Sequence, residues 1–157
     1  MLSLMPEDSW IGLTDHDAMF LRPDSKAQIA RCVAEGKFDV FGPLTNRLWG
    51  DHQRYNGVFS DNGDINHHLN IANLCHHSDY GVVEEPPINV PGLCVVFNKA
   101  PWQRVGGFTE GSICLDKEFT DAVMATGGRL GIMKGVYMFH LYRWSQDQPG
   151  QYTKHLL

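Results

Sequence analysis

The chain has 157 residues, which is enough for one domain with a substantial core. Hydrophobic residues make up 43% of it and charged residues 20%, a balance typical of a globular protein rather than a disordered one. The formal net charge is -5, and the 13 Lys and Arg residues are scattered along the chain. Because a nucleic-acid or polyanion binder normally shows a basic stripe, the composition argues against that class of protein.

The cellular compartment is inferred from targeting signals and cysteine usage. The amino-terminal residues show neither the basic segment nor the long apolar run of a secretory signal. No stretch approaches the roughly 20 apolar residues that a membrane-spanning helix needs. The four cysteines, Cys32, Cys75, Cys94 and Cys114, form no C-x-x-C pair, and three of them lie in apolar segments. We therefore expect buried free thiols and a cytoplasmic protein.

The first third of the chain predicts a strand, a helix and a second strand. Residues 10–14 form a short apolar run that ends abruptly at an acidic segment, as a buried strand does. Asp24 or Ser25 is a suitable cap for a helix that ends at Gly36 and carries Ile29, Ala30 and Val33 on one face. Residues 38–41 form the second strand, ended by Gly42 and Pro43. This alternation is typical of an α/β sheet.

The rest of the chain begins with a long excursion over the predicted sheet. Residues 45–91 contain several turn signals and one predicted helix, at about 64–75, and excursions of this length tend to carry function. A buried strand, a helical turn, a helix and a strand ending at His140 then follow, at residues 93–97, 101–105, 116–126 and 130–139. Internal repeats and a second domain boundary are not evident, so residues 1–157 are expected to form a single domain.

Asp15, His16 and Asp17 come directly after the first predicted strand. Two carboxylates separated by one residue can converge on a hard divalent cation such as Mg²⁺ or Mn²⁺, which takes oxygen ligands and keeps positions for phosphates. Open α/β sheets bind their ligands beyond the carboxyl ends of the strands, where this segment lies. A D-x-D sequence can also simply cap a turn.

Two further features carry chemistry. His140 ends a strand expected near the sheet centre, and a neutral imidazole is a metal ligand, although a histidine at a strand end can be purely structural. Asp116 and Glu118 open a predicted helix, where Asp116 would interact well with the helix dipole. The functional alternative is a general base that takes a proton from an acceptor hydroxyl.

Taken in order, these features resemble the family 2 glycosyltransferases of GT-A fold. The shared pattern is a D-x-D after a strand, a G-G-F, an acidic cluster that opens a helix, and a final strand that ends in histidine. The matching segments are residues 10–17, 105–108, 115–119 and 137–140, and the resemblance runs from about residue 10 to residue 142. It implies a partial GT-A fold, that of the nucleotide-diphospho-sugar transferases, with a mixed sheet flanked by helices.

The resemblance also implies a role for each motif. Asp15 and Asp17 would hold Mn²⁺ or Mg²⁺ on the diphosphate of a nucleotide sugar, and His140 would approach that metal from the opposite side. Asp116 would activate an acceptor hydroxyl for direct displacement, which inverts the anomeric carbon. Glu118 is the fallback for that base, because the family usually has Glu-Asp where this chain has Leu-Asp.

The remaining implied residues would contact the two substrates. Gly106 and Gly107 would lie close to the donor sugar, where a side chain would intrude. His16 and Arg143 would contact the donor sugar or its diphosphate. Trp102 would bind the acceptor, a saccharide or another hydroxyl compound, although packing is an equally ordinary role for a tryptophan.

The resemblance has one large gap. The family begins with two or three βα units that bind the nucleotide, and this sequence starts where those units would end. We therefore expect a truncated domain without transfer activity of its own. The strand at residues 10–14 would be left with an open edge and an uncovered apolar face, which predicts a homo-oligomer, most simply a two-fold dimer.

Other interpretations remain open at this point. The chain could be an inactive remnant that serves as a sugar-binding or assembly module, or a metal-dependent phosphoesterase that uses Asp15, Asp17 and nearby histidines. The histidines and cysteine at 67–68 and 75–77 favour a polar helix face over a zinc site, because the tight ligand pairs of structural zinc are absent. Trp49 and Tyr55 could stack on sugar rings but more simply pack at the rim of the core.

Overall fold

A computed structural model describes residues 2–48, 50–112 and 114–141. The strands are β1 (Trp10–Thr14), β2 (Ala18–Phe20), β3 (Val40–Thr45), β4 (Val83–Glu84), β5 (Cys94–Asn98) and β6 (Leu130–His140). The helices are α1 (Ser25–Ala34), α2 (Ile65–Asp79), α3 (Lys99–Arg104) and α4 (Leu115–Ala125). Short 3-10 turns occur at Leu2–Leu4, Asp51–Gln53 and Tyr55–Gly57. None of the described helices is both long and apolar enough to cross a membrane.

The strands form one mixed sheet in the order β1-β5-β3-β6-β2, and β4 also pairs with β6. β5 is antiparallel to both β1 and β3, whereas β3 and β6 are parallel. β1, β3 and β6 therefore point the same way, and their carboxyl ends lie at one edge of the sheet, here called the carboxyl edge. This topology confirms the predicted α/β class with a mixed sheet flanked by helices.

The core consists of two apolar layers, one on each face of the sheet. Helices α2 and α4 cover one face, where Cys75, Phe119 and Val123 pack on residues such as Val40 and Phe97. Helix α1 covers part of the other face, with a layer of sheet residues that includes Phe41, Met133 and Met138. Successive residues of β3 point to opposite layers, as the two-residue period of a strand requires. Removal of these side chains from water is the main stabilising contribution to the fold.

Several predicted elements are confirmed with small shifts at their ends. β1 has the predicted bounds, and the final strand extends to include His140. Helix α2 begins where Asp64 Oδ1 accepts a hydrogen bond from Asn66 N at 2.9 Å, and it continues to Asp79, beyond the predicted end. Three cysteines are buried and Cys114 is exposed, and all four are free thiols, as expected from their surroundings in the sequence.

The predicted end of β3 at Gly42 and Pro43 is wrong, because the strand continues through both residues to Thr45. Pro43 has no N–H to donate, and it lies where the pairing with β6 shifts register, between Pro43 and Leu44. Gly42 is required by close packing: a Cβ there would lie 2.5 Å from Gln53 and 2.6 Å from Val90. Both residues therefore act inside the strand rather than as its terminator.

Helix α1 carries Ile29, Ala30 and Val33 on one face, as predicted, while its most buried residues are Ser25, Gln28 and Cys32. Ile29 and Val33 pack against the apolar layer on this side of the sheet. All three residues of the predicted face line a groove of about 530 Å³ between α1 and the strands β1 and β5. We call this cavity the α1 groove. It exists because α1 covers one part of this face and leaves the part over β1 open.

β1 forms one edge of the described sheet, since it pairs there with β5 alone. The hydrogen bond from Asp15 N to Leu93 O, at 2.9 Å, shows that odd-numbered residues of this segment bond to β5. In an antiparallel pair the alternate residues then direct their N–H and C=O groups outward. The residues whose backbone groups point away from β5 are Trp10, Gly12 and Thr14. The same three residues line the α1 groove.

Candidate metal centre at the carboxyl edge

The backbone around Asp15 and Asp17 brings the two ends of the chain together. After β1 the chain makes a turn, in which Ala18 N donates to Asp15 O at 3.3 Å. It then runs back as β2, antiparallel to the end of β6, with Ala18 opposite His140. Leu141 N donates to Asp17 O at 3.0 Å and closes this pairing. Asp17 and His140 become neighbours as a direct consequence.

Asp15, Asp17 and His140 form a compact cluster, here called the triad. Each contributes one ligand atom, and these atoms all lie within 4.8 Å of one another. His140 Nε2 is 3.4 Å from Asp17 Oδ1 and 3.8 Å from Asp15 Oδ2. The histidine side chain is 1% exposed, Asp17 is 27% exposed and Asp15 is 51% exposed, so the cluster opens to solvent on the Asp15 side. Two carboxylates and one imidazole at this spacing could hold a metal ion.

The His140 ring is oriented by a backbone carbonyl. Its Nδ1 lies 2.9 Å from Arg47 O. Because a carbonyl oxygen can only accept, Nδ1 carries a proton, so in the neutral form of the ring the lone pair is on Nε2, on the side of the two carboxylates. Metal-binding histidines are commonly held in this way by a partner on the other ring nitrogen.

The electrostatics of the triad are those of crowded acidic groups. Partial burial raises the pKa of Asp15 above its ordinary value. The charges of Asp17 and Asp116 raise it further, while His140 and His16 act in the opposite direction. A cation in the triad would relieve this repulsion, because it favours the charged form of both carboxylates.

The structure separates the two candidate bases, Asp116 and Glu118. Asp116 Oδ2 accepts a hydrogen bond from Gly92 N at 2.7 Å, next to Leu93, whose carbonyl is bonded to Asp15 N. The carboxylate of Asp116 is therefore beside the triad and contributes to its field. Glu118 is exposed and accepts a hydrogen bond from Ser112 Oγ at 2.8 Å, in the loop before α4. Hydrogen bonds in that loop lower the pKa of Glu118, which makes it a weaker base than an ordinary glutamate.

Gly106 and Gly107 lie in the loop after α3, and Gly107 packs against Trp102 of that helix. Gly106 has φ +84° and Gly107 has φ +87°, a conformation that favours glycine. A Cβ on Gly107 would lie 3.1 Å from the Trp102 indole, whereas one on Gly106 would meet nothing within 4 Å. Trp102 is half-buried and packs against Phe108, with ring centroids 6.3 Å apart. Packing thus accounts for Gly107, while the predicted contacts of these residues with substrates stay predictions.

The other predicted residues are placed as follows. His16 is exposed at the turn and is close enough to Asp15 to lower its pKa. Arg143 and Trp49 lie outside the described residues. Tyr55 packs edge-on against Tyr137 on the α2 side of the sheet, with ring centroids 6.3 Å apart.

The prediction of one polar face on α2 is wrong for His68 and Cys75, which are both buried. His68 Nδ1 lies 2.7 Å from Tyr137 Oη, and its Nε2 lies 2.6 Å from Asn62 O. Burial lowers the pKa of His68 and raises that of the Cys75 thiol to about 11. These groups are structural partners of the sheet rather than a metal site.

Sequence reasoning assigned no role to Asn46 and Arg47, two buried polar residues directly after β3. The Asn46 side chain hydrogen-bonds both the N–H and the C=O of His140. The backbone carbonyl of Arg47 faces the His140 ring. Their one signal in the sequence is position, since they follow a strand at the same edge as the acidic turn. Nothing in the residue types alone connects them with His140.

Comparisons with known proteins add no family to this description. No family model matches the chain, and neither the curated proteins nor the solved structures contain a match. The function is therefore inferred from the geometry of the carboxyl edge.

Proposed function

We propose that this chain carries the metal centre and the general base of a metal-dependent glycosyltransferase of GT-A type, whose donor is a nucleotide-diphospho-sugar, and that the chain by itself shows no measurable transfer. The observation that carries the proposal is the triad itself. Two carboxylates and one oriented imidazole meet at the carboxyl edge of an α/β sheet, although they come from opposite ends of the sequence. Sites that bind phosphorylated ligands are common at this edge.

Asp15, Asp17 and His140 would hold Mn²⁺ or Mg²⁺. When bound, such a cation would offset the negative charge that develops on a departing nucleoside diphosphate. Asp17 is the more buried carboxylate and lies nearer to His140 Nε2, so we assign it the more direct ligand role. The half-exposed Asp15 borders the open side, where the diphosphate would enter. We assign His16, Gly106, Gly107 and Arg143 to the donor sugar and diphosphate.

Asp116 is our candidate for the general base. The hydrogen bond from Gly92 N fixes its carboxylate beside the triad. In that position it would take the proton of an acceptor hydroxyl as this oxygen attacks the anomeric carbon, which gives inversion. The acceptor would be a saccharide or another hydroxyl compound, with Trp102 at its binding surface.

Two other functions compete with this proposal. An inactive remnant would keep sugar or metal binding without transfer, and would serve as a binding or assembly module. A two-metal phosphoesterase needs a second ligand cluster. Among the described residues the triad is the single group of at least three His, Cys, Asp or Glu side chains at ligand spacing, which disfavours the phosphoesterase.

Titration of the protein with Mn²⁺, with and without a nucleoside diphosphate, tests the proposal. We expect weak binding of Mn²⁺ alone, because phosphates normally complete the coordination shell, and an affinity at least about tenfold higher with the diphosphate. Asp17→Asn should abolish binding. Asp61→Asn removes an exposed carboxylate outside the triad and is the matched control. Unchanged Mn²⁺ affinity in Asp17→Asn would refute the proposal, and Mn²⁺-dependent hydrolysis of a simple phosphate monoester would favour the phosphoesterase.

A further inference from the structure

We infer that Asn46 is a positioning residue for the metal centre: its carboxamide holds the backbone of His140 so that the imidazole faces Asp15 and Asp17. The inference rests on the proposed function in one respect, namely that His140 is a metal ligand. It assigns to Asn46 a task that the residue performs through His140 and without contact with the metal.

The contacts of Asn46 continue the sheet beyond its last backbone pair. β3 and β6 are parallel, and their ladder ends with Thr45 opposite Met138. One step further, Asn46 Oδ1 accepts from His140 N at 2.8 Å, and Asn46 Nδ2 donates to His140 O at 3.1 Å. The side-chain amide thus takes the place of a neighbouring peptide group. A carboxamide suits this position because it offers a donor and an acceptor together.

The residue after Asn46 fixes what the backbone contacts leave free, which is the rotation of the imidazole ring. Arg47 O lies 2.9 Å from His140 Nδ1. Arg47 is itself anchored, since its Nε donates to Ser60 O at 2.8 Å, and Asn46 Nδ2 reaches the same carbonyl at 3.3 Å. Asn46 therefore fixes the backbone position of His140, and Arg47 fixes the direction in which its Nε2 points.

These hydrogen bonds would favour metal binding because they order the His140 side chain before the cation binds. Both Asn46 and His140 are 1% exposed, so their hydrogen bonds form in a water-poor setting where a lost partner is costly. A ligand ordered by the fold need not be ordered when the cation binds. Loss of an outer-shell partner of a metal ligand typically weakens metal binding by about 10–100-fold.

The test compares Asn46→Ala with Gln53→Ala. Gln53 is a matched control because it is also a buried amide near β3, and it donates to Pro43 O at 2.9 Å rather than to His140. Both variants should unfold at lower temperature than the parent chain. Only Asn46→Ala should weaken Mn²⁺ binding, by about tenfold or more. Only Asn46→Ala should also change the imidazole ¹⁵N shifts of His140 from one Nδ1–H tautomer to a mixture.

The outcomes separate this inference from the proposed function. If Asn46→Ala and Gln53→Ala bind Mn²⁺ equally well while Asp17→Asn does not bind it, the positioning role is refuted and the metal site stands. If Asp17→Asn retains binding, the proposed function is refuted. Should Asn46→Ala fail to fold, Asn46→Ser supplies a small polar replacement for the same measurements, with the same expected tautomer change and loss of affinity.

Discussion

The carboxylate of Asp15 lies at the open side of the triad, within the fields of Asp17 and Asp116. Its pKa is raised, first by partial burial and then by these neighbouring charges. A raised folded-state pKa means that the fold prefers the protonated form of this group. The stability that protonation contributes is fully present below the pKa of the unfolded chain and is lost as pH rises through the folded-state value.

Asp15→Asn should therefore stabilise the metal-free protein at neutral pH. Because the side chain is 51% exposed, solvent screens much of the effect, and we expect a rise in Tm on the order of 1–2 °C. The gain should shrink as the pH falls towards about 3.9, the ordinary aspartate pKa, where Asp15 itself becomes neutral. Circular dichroism melts from pH 4 to pH 7 measure this, with Asp61→Asn as control. A gain that is independent of pH would contradict the assignment.

At the scale of elements, the loop between α3 and α4 is shaped by the contact of Gly107 with Trp102. Alanine at Gly106 introduces backbone strain alone, because nothing lies within 4 Å of the added Cβ. We expect Gly106→Ala to lower the free energy of unfolding by about 1–2 kcal/mol. Gly107→Ala adds a Cβ 3.1 Å from the indole, and should cost about 1–3 kcal/mol more.

Urea unfolding of the two glycine variants, followed by tryptophan fluorescence, provides the comparison. Equal losses in the two variants would mean that Trp102 moves aside without cost. In that case packing would no longer explain Gly107, and closeness to a bound sugar would become the better reason for a glycine there.

The strength of the local pattern decided which elements could be predicted. The apolar runs of β1, β5 and β6 and the helices α1, α2 and α4 were predicted close to their observed bounds. β2 and β4 were missed because they are three and two residues long, too short to show a period. Gly42 and Pro43 misled the prediction because their tolerance inside β3 depends on a register shift against β6, a strand distant in sequence.

The same distinction applies to the candidate site. Asp15, Asp17 and His140 could be predicted because their side chains carry chemistry and each lies at or just after the end of a strand. Asn46 could not, because a carboxamide gains its importance here from the residue opposite it. That neighbour is fixed by the pairing of β3 with β6, which no local pattern in the sequence reveals.

At the scale of the whole molecule, the outer edge of β1 and the adjoining α1 groove are the surfaces most suited to a partner. The outward N–H and C=O groups of Trp10, Gly12 and Thr14 can pair with another strand, and Leu13 is 37% exposed. We expect the chain to form a two-fold dimer through this edge. Light scattering at micromolar concentration measures its mass.

Leu13→Lys should convert such a dimer to a monomer, because it brings like charges together at the paired edge. Leu74→Lys changes an exposed leucine on α2, far from β1 in the fold, and should leave the mass unchanged. A parent chain that is monomeric at micromolar concentration would contradict the expectation of a dimer.

The pairing of β2 with β6 also determines when the triad can form. Ala18 lies opposite His140, so nearly the whole described chain forms the loop that this contact closes. Contacts between residues so distant in sequence pay a large loop-closure entropy and form late in folding. During synthesis on a ribosome, Asp15 and Asp17 would emerge early, and the triad could not form until β6 had emerged. The triad would thus form only as the described sheet is completed, so that partly folded chains would be unable to bind a cation through it.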